Sequence, residues 1–79
     1  MKVVIKHEMN RIKNGYSARS VALGLTAHGF SEEVARRNLE RMVRFLLTPF
    51  ERSNTLEGEL QKMGLDVYND GDGLTISLA

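Results

Sequence analysis

The sequence predicts an α+β domain: a three-stranded antiparallel meander, one long helix packed on the sheet, a short second helix, and a C-terminal strand or hairpin. Three observations carry that class. Val3, Ile5, His7 and Met9 alternate with Lys2, Lys6 and Glu8, the two-residue period of a strand with one buried face. Asn14-Gly15 is a tight hairpin signal, because both residues accept the positive φ of a type I′ turn. Beyond Ser31, Ala35, Leu39, Met42, Val43, Leu46 and Phe50 recur at three- and four-residue spacing, one apolar stripe along a helix.

Taken in order, the first strand runs from Lys2 to Met9 and the second starts at Tyr16. A tight turn sets Lys13 opposite Tyr16, and Met9, His7 and Ile5 beside Ser20, Ala22 and Gly24, all small enough to let a helix lie close. Leu23-Gly24-Leu25 reads as a break, with Thr26-Ala27-His28 as the third strand. Ser31 caps the long helix, and Glu32 and Glu33 occupy its first turn, where the dipole favours negative charge. Pro49 has no N–H to give to residue 45, so the helix is expected to end or bend there. Asn54-Thr55-Leu56-Glu57 has the form of a capping box opening a second helix that buries Leu56, Leu60 and Met63. Gly64 ends it, with Leu60 and Leu65 placed for the hydrophobic contact of a Schellman motif. Val67-Tyr68, the turn-rich stretch from Asn69 to Gly73, and Leu74, Ile76 and Leu78 give the C-terminal strand or hairpin, expected to join an edge of the meander.

Composition sets the limits. The 79 residues hold one domain, 1–79, and 42% hydrophobic with 27% charged residues and one proline is too apolar for a disordered tail. A chain this short buries only about 60% of the surface of its unfolded form, so a homo-oligomer, a dimer first, is expected to enlarge the core. The absence of cysteine excludes disulfides, a thiolate nucleophile and cysteine-ligated metal, and fits a cytoplasmic location. The first residues lack the apolar run of a signal peptide, and no stretch reaches the roughly 18 apolar residues of a membrane span.

Gly29, Ser31, Glu33, Ala35, Asn38 and Leu39 form a pattern that resembles the HicB-like antitoxin domain family: glycine, any residue, Ser or Thr, then an apolar helix with Ala and Asn at set places. The Gly15-Tyr16 hairpin and the stretch from Thr55 to Leu65 are similar to that family too, so the likeness spans most of the chain. The resemblance implies a partial ribonuclease H-like layout of three antiparallel strands, a covering helix and a fourth strand after it. It also implies binding rather than catalysis, since family members cover and inhibit HicA, a small toxin that binds double-stranded RNA. Two departures stand out. Val21-Ala22-Leu23-Gly24-Leu25 replaces the family's Leu-Pro-Gly turn, and no stretch remains after the last strand for the operator-binding domain that many antitoxins append.

The remaining chemistry is sparse. Residues 1–44 hold 9 basic and 4 acidic side chains, and residues 45–79 hold 2 and 6, so the first part is basic and the second acidic. Glu33 with Arg37 and Glu40 with Arg44 are well-oriented i,i+4 pairs that account for part of the positive charge. His7 and His28 have no local partner of metal-ligand spacing, and His7 on the inner row is expected to hydrogen-bond to backbone. Glu8 and Asp66 fall short of the carboxylate count of a two-metal nuclease, and Asp70-Gly71-Asp72-Gly73 lacks the bidentate Glu of a calcium loop. Ser17, Ser20 and Ser31 have no adjacent base, and Gly71 and Gly73 precede a strand rather than a phosphate-binding helix. The expectation is a non-catalytic interaction module with no cofactor and no metal, an antitoxin-like protein. It binds its partner with Arg37, Arg41 and Arg44 on the helix and with Leu74, Ile76 and Leu78 on the last strand, whose edge is also expected to pair with a second copy. RNA binding by the same arginines is the alternative, with only Tyr16 and Phe30 near them as stacking platforms.

Overall fold

The structure, a computed structural model, describes residues 1–52, 56–68 and 73–79. Its order is β1 (Lys2–Ile5), β2 (Glu8–Ile12), β3 (Gly15–Ser20), β4 (Leu25–Gly29), α1 (Glu32–Arg52), α2 (Leu56–Lys62), β5 (Asp66–Tyr68) and β6 (Thr75–Leu78). The α+β class holds, with the six strands divided between two three-stranded sheets.

The meander is the antiparallel sheet β2-β3-β4, and the second sheet has the order β5-β1-β6. The expected first strand is therefore two. The row Val3, Ile5, His7 and Met9 keeps one period, with Val4 breaking the polar row between them, but the chain changes partners after Ile5: β1 pairs with β5 and β6, and β2 pairs with β3. The last strand also departs from expectation. It joins β1 in parallel instead of an edge of the meander, and β5 and β6 lie on opposite sides of β1 rather than forming a hairpin. The turn-rich residues 69–72 lie outside the described residues.

The β2–β3 register is two residues from the one expected. Met9 faces Ala18, Arg11 faces Tyr16 and Ile12 faces Gly15, so the two turn residues are Lys13-Asn14 and Gly15 is already strand. A shift of two leaves the same side chains on the inner face. The small residues that let the helix lie close are consequently Ala18 and Ala27, both buried, facing Ala35 and Leu39 of α1; Ala22 and Gly24 are exposed in the following turn.

Ser31 caps α1 as read: its Oγ accepts the Val34 N–H at 3.2 Å and its carbonyl accepts the Ala35 N–H at 3.0 Å. Replacing Ser31 with Ala should cost about 1 kcal/mol, the usual worth of such a cap, read as a lower urea midpoint with unchanged slope. A second tie is Asn38, whose Nδ2 donates to the His28 carbonyl at 2.7 Å and fixes the helix against β4. The expected end of the helix at Pro49 does not occur: α1 runs on to Arg52. The ring costs one helical hydrogen bond at Phe45, Thr48 Oγ1 bonds back to the Arg44 carbonyl at 2.7 Å in the preceding turn, and Phe50 beyond it packs on the core.

The core stripe of α1 is Ala35, Leu39, Val43 and Leu47, each fully buried. Leu47 takes the place expected of Leu46, which with Met42 stands at the border of the buried face, 36% and 37% exposed. The same core takes in Val3, Ile5, Ile76, Leu60 and Leu65, so the helix spans both sheets. The Schellman motif forms as expected: Leu65 N–H reaches the Leu60 carbonyl at 3.1 Å, Gly64 N–H reaches Gln61 at 3.0 Å, and Gly64 has φ 76°. Asn54 and Thr55, with the side chains of Leu56 and Glu57, lie outside the described residues, and the expected capping box falls there.

Candidate functional site

The arginines chosen from sequence share one side of α1, but the structure gives them different work. Arg37 is exposed and its Nη2 meets Glu33 Oε1 at 3.3 Å, an i,i+4 pair worth a few tenths of a kcal/mol. Arg44 does not pair with Glu40. Its Nη1 donates instead to the Leu74 carbonyl at 3.2 Å, tying the helix to the residue that leads into β6. Arg41 has no ion pair among the described residues and stands at the rim of an apolar hollow.

On β6, the Ile76 side chain is 7% exposed and belongs to the core, while Leu74 and Leu78 are half-buried against it. Ile76 thus offers a partner no side chain. What β6 does offer is backbone. Thr75 N–H donates to Met1 O at 2.8 Å and Ala79 N–H to Ile5 O at 2.9 Å, so the odd-numbered residues turn toward β1. Strand geometry then turns the N–H and C=O of Ile76 and Leu78 toward the opposite edge, where no strand pairs among the described residues. The two halves of the expected site therefore adjoin: the Arg37 and Arg44 side of the helix lies next to the open β6 edge of the mixed β5-β1-β6 sheet, joined to it by the Arg44–Leu74 bond.

The histidines are not brought together. The main-chain oxygen of Ala79 accepts both the His7 N–H at 3.1 Å and, at 2.8 Å, a hydrogen bond from Nδ1, the backbone tie expected of this side chain. His28 is exposed on β4, level with Ser17 and, across β3, with Asn10. Glu8 and Asp66 stand exposed on β2 and β5, strands of different sheets. Glu8 and His7 line a hollow of about 350 Å³ with Lys6, Arg19, Val21 and Ala22. Among the described residues no group of three or more His, Asp or Glu side chains is placed to hold a metal ion. No helix among them is long and apolar enough to cross a membrane. Ser20 is fully buried and its Oγ accepts the Leu23 N–H at 3.4 Å, a turn-holding role. Of the two stacking candidates, Tyr16 packs against the core and Phe30 is 90% exposed.

One feature escaped the residue-by-residue reading. Phe45 is 84% exposed in mid-helix, and with Leu25, Met42, Leu46 and Pro49 it forms an open hollow of about 480 Å³. The signal was present: Met42, Phe45, Leu46 and Pro49 are spaced i, i+3, i+4, i+7, a second apolar stripe beside the first.

Comparison of the chain with protein-family models, with curated proteins and with solved structures gave no match.

Proposed function

We propose that this protein is a non-catalytic interaction module, antitoxin-like in that it covers a small RNA-targeting toxin protein of the HicA kind in the cytoplasm. The HicB-like pattern from Gly29 to Leu39 supports the toxin as partner. The covering surface is the open edge of β6 together with the adjoining arginine side of α1. The observation that carries this reading is the Arg44–Leu74 bond, which makes one surface of a strand edge and a basic helix side. A strand from the partner added to that edge would gain main-chain hydrogen bonds from Ile76 and Leu78, while Arg37 and Arg41 supply charge beside it. RNA binding draws less support, because Arg37 is engaged by Glu33 and Arg44 by Leu74, and of the two stacking candidates only Phe30 is well exposed while Tyr16 packs against the core.

The test is co-expression with a toxin-sized reading frame adjacent to this one, read as growth rescue and co-purification. Leu78→Pro removes one outward N–H from the edge and should weaken the complex at least tenfold while the variant keeps its circular dichroism. Rescue and co-purification that survive both Leu78→Pro and the Arg37→Glu/Arg41→Glu pair would refute this surface. No complex, combined with an RNA mobility shift that weakens steeply with salt, would replace the toxin reading with the RNA one.

A further inference from the structure

We infer that α1 carries a self-association face, and that a second copy of this chain occupies the hollow formed by Leu25, Met42, Phe45, Leu46 and Pro49. This rests on the interaction reading above and adds a homodimer to it, on a face of α1 that adjoins the Arg44–Leu74 surface and shares Arg41 with it.

The first argument is area. For a monomer of 8.9 kDa, the scaling of folded surface with mass gives about 4,800 Å². The chain exposes 5282 Å². Its radius of gyration, 12.9 Å, also exceeds the roughly 11.6 Å of a compact 79-residue domain, and its long axis is 40 Å against 20 and 19 Å. The excess is several hundred Å², close to the lower end of the roughly 600–1,000 Å² that each protomer gives to a stable pair. The exposed surface includes an apolar stripe on the 21-residue α1, Met42, Phe45, Leu46 and Pro49, the kind of patch that marks an interaction site on a small protein.

The second argument is self-complementarity. A two-fold interface uses the same patch on both chains, so that patch must present both a projection and a recess to receive it. Here both are adjacent. Phe45 projects into solvent, and the recess beside it measures about 480 Å³. An enclosed apolar cavity of about 150 Å³ accepts a benzene ring, so an open hollow of about 480 Å³ beside Phe45 has the volume for the partner's Phe45 ring.

Charge complements the fit. Pro49 leaves the Phe45 carbonyl without its i+4 donor, and this lies near the C-terminal, partially negative part of α1. If two helices cross antiparallel near Phe45, Arg41 of each comes opposite Pro49 of the other, where its guanidinium can donate to that carbonyl. The outer edge of β4 is a weaker site for pairing, since Asn38 already engages the His28 carbonyl there.

The decisive measurement is sedimentation equilibrium of the full chain between 5 and about 200 µM, a range chosen to span typical weak and tight homodimers. The wild type should approach twice 8.9 kDa. Phe45→Glu should sediment as a monomer with unchanged circular dichroism, and Arg41→Glu should weaken association about tenfold. Val21→Glu, at an exposed apolar position in the turn before β4, should remain dimeric. A wild type that stays monomeric throughout overturns the inference, as does a dimer that survives Phe45→Glu or one that Leu78→Pro alone dissociates. A purified monomer carrying an apolar small molecule or foreign peptide, detected by native mass spectrometry, overturns it as well. Survival of the toxin complex in Leu78→Pro with the dimer intact refutes only the surface proposed for the toxin, not this face.

Discussion

Replacing Gly29 with alanine should cost at least about 3 kcal/mol, the upper range of overpacking penalties, which is about a quarter to three quarters of the roughly 4–12 kcal/mol expected for a domain this size. The cause is backbone against backbone. A methyl at Gly29 would stand far inside contact distance of the Ala35 nitrogen and 2.8 Å from the Val34 carbonyl carbon. Neither atom can rotate away, because both belong to the first turn of α1, which the Ser31 cap and the Asn38–His28 bond hold against the end of β4. Gly15 repeats the arrangement one layer out, since a methyl there would collide with the Gly29 carbonyl oxygen. Gly24→Ala is the comparison. It meets nothing within 4 Å and carries only its φ of +66°, a left-handed conformation costing about 1–2 kcal/mol. Urea unfolding of the three variants should therefore rank Gly29→Ala and Gly15→Ala well below Gly24→Ala. Equal midpoints for Gly29→Ala and Gly24→Ala would mean that the strand-to-helix corner is looser than the structure draws it.

The glycine before the capped helix was legible in the sequence as part of a pattern, but its physical reason was not, because the atoms that crowd it come from a helix turn five and six residues on. The same division runs through the fold. Ser31, Gly64 and the helix between Glu32 and Pro49 were readable because caps, glycine termini and apolar spacing act within a few residues. The break between β1 and β2 was not: Val3, Ile5, His7 and Met9 keep one period throughout, and only the pairing of β6 with β1, more than seventy residues away in sequence, sends Ile5 and Met9 to different sheets. The arginines were correctly placed on one side of the helix, yet which would pair locally depended on geometry outside the helix. Arg37 found Glu33 four residues before it, while Arg44 passed over Glu40 for a carbonyl thirty residues away. Phe45 was overlooked because one stripe of helical spacing had already explained the helix, and a second stripe alongside it has no use within a monomer.

The two stripes differ in what their removal should do. Leu39 is fully exposed to the core and not at all to water. Leu39→Ala should therefore cost about 3–4 kcal/mol, the middle of the range for a buried leucine whose cavity the surrounding chain cannot close. Ala18 and Ala27, the small buried residues of β3 and β4 in the same core, are too short to fill the space left. For a domain of this size a loss of 1 kcal/mol lowers Tm by about 4–8 °C, so Leu39→Ala should melt well over 10 °C below the wild type. Leu46→Ala removes the same atoms from a position more than a third exposed, and should cost about 1 kcal/mol or less in the monomer. Protein concentration separates the two further. Burial of Leu46 by a second copy is a mass-action term, so the Leu46→Ala penalty should grow as concentration rises past the dissociation constant of the dimer, whereas the penalty for Leu39→Ala should persist at dilutions where only monomer remains. Penalties of similar size for both variants in dilute solution would place Leu46 in the core stripe after all and leave α1 with a single apolar face.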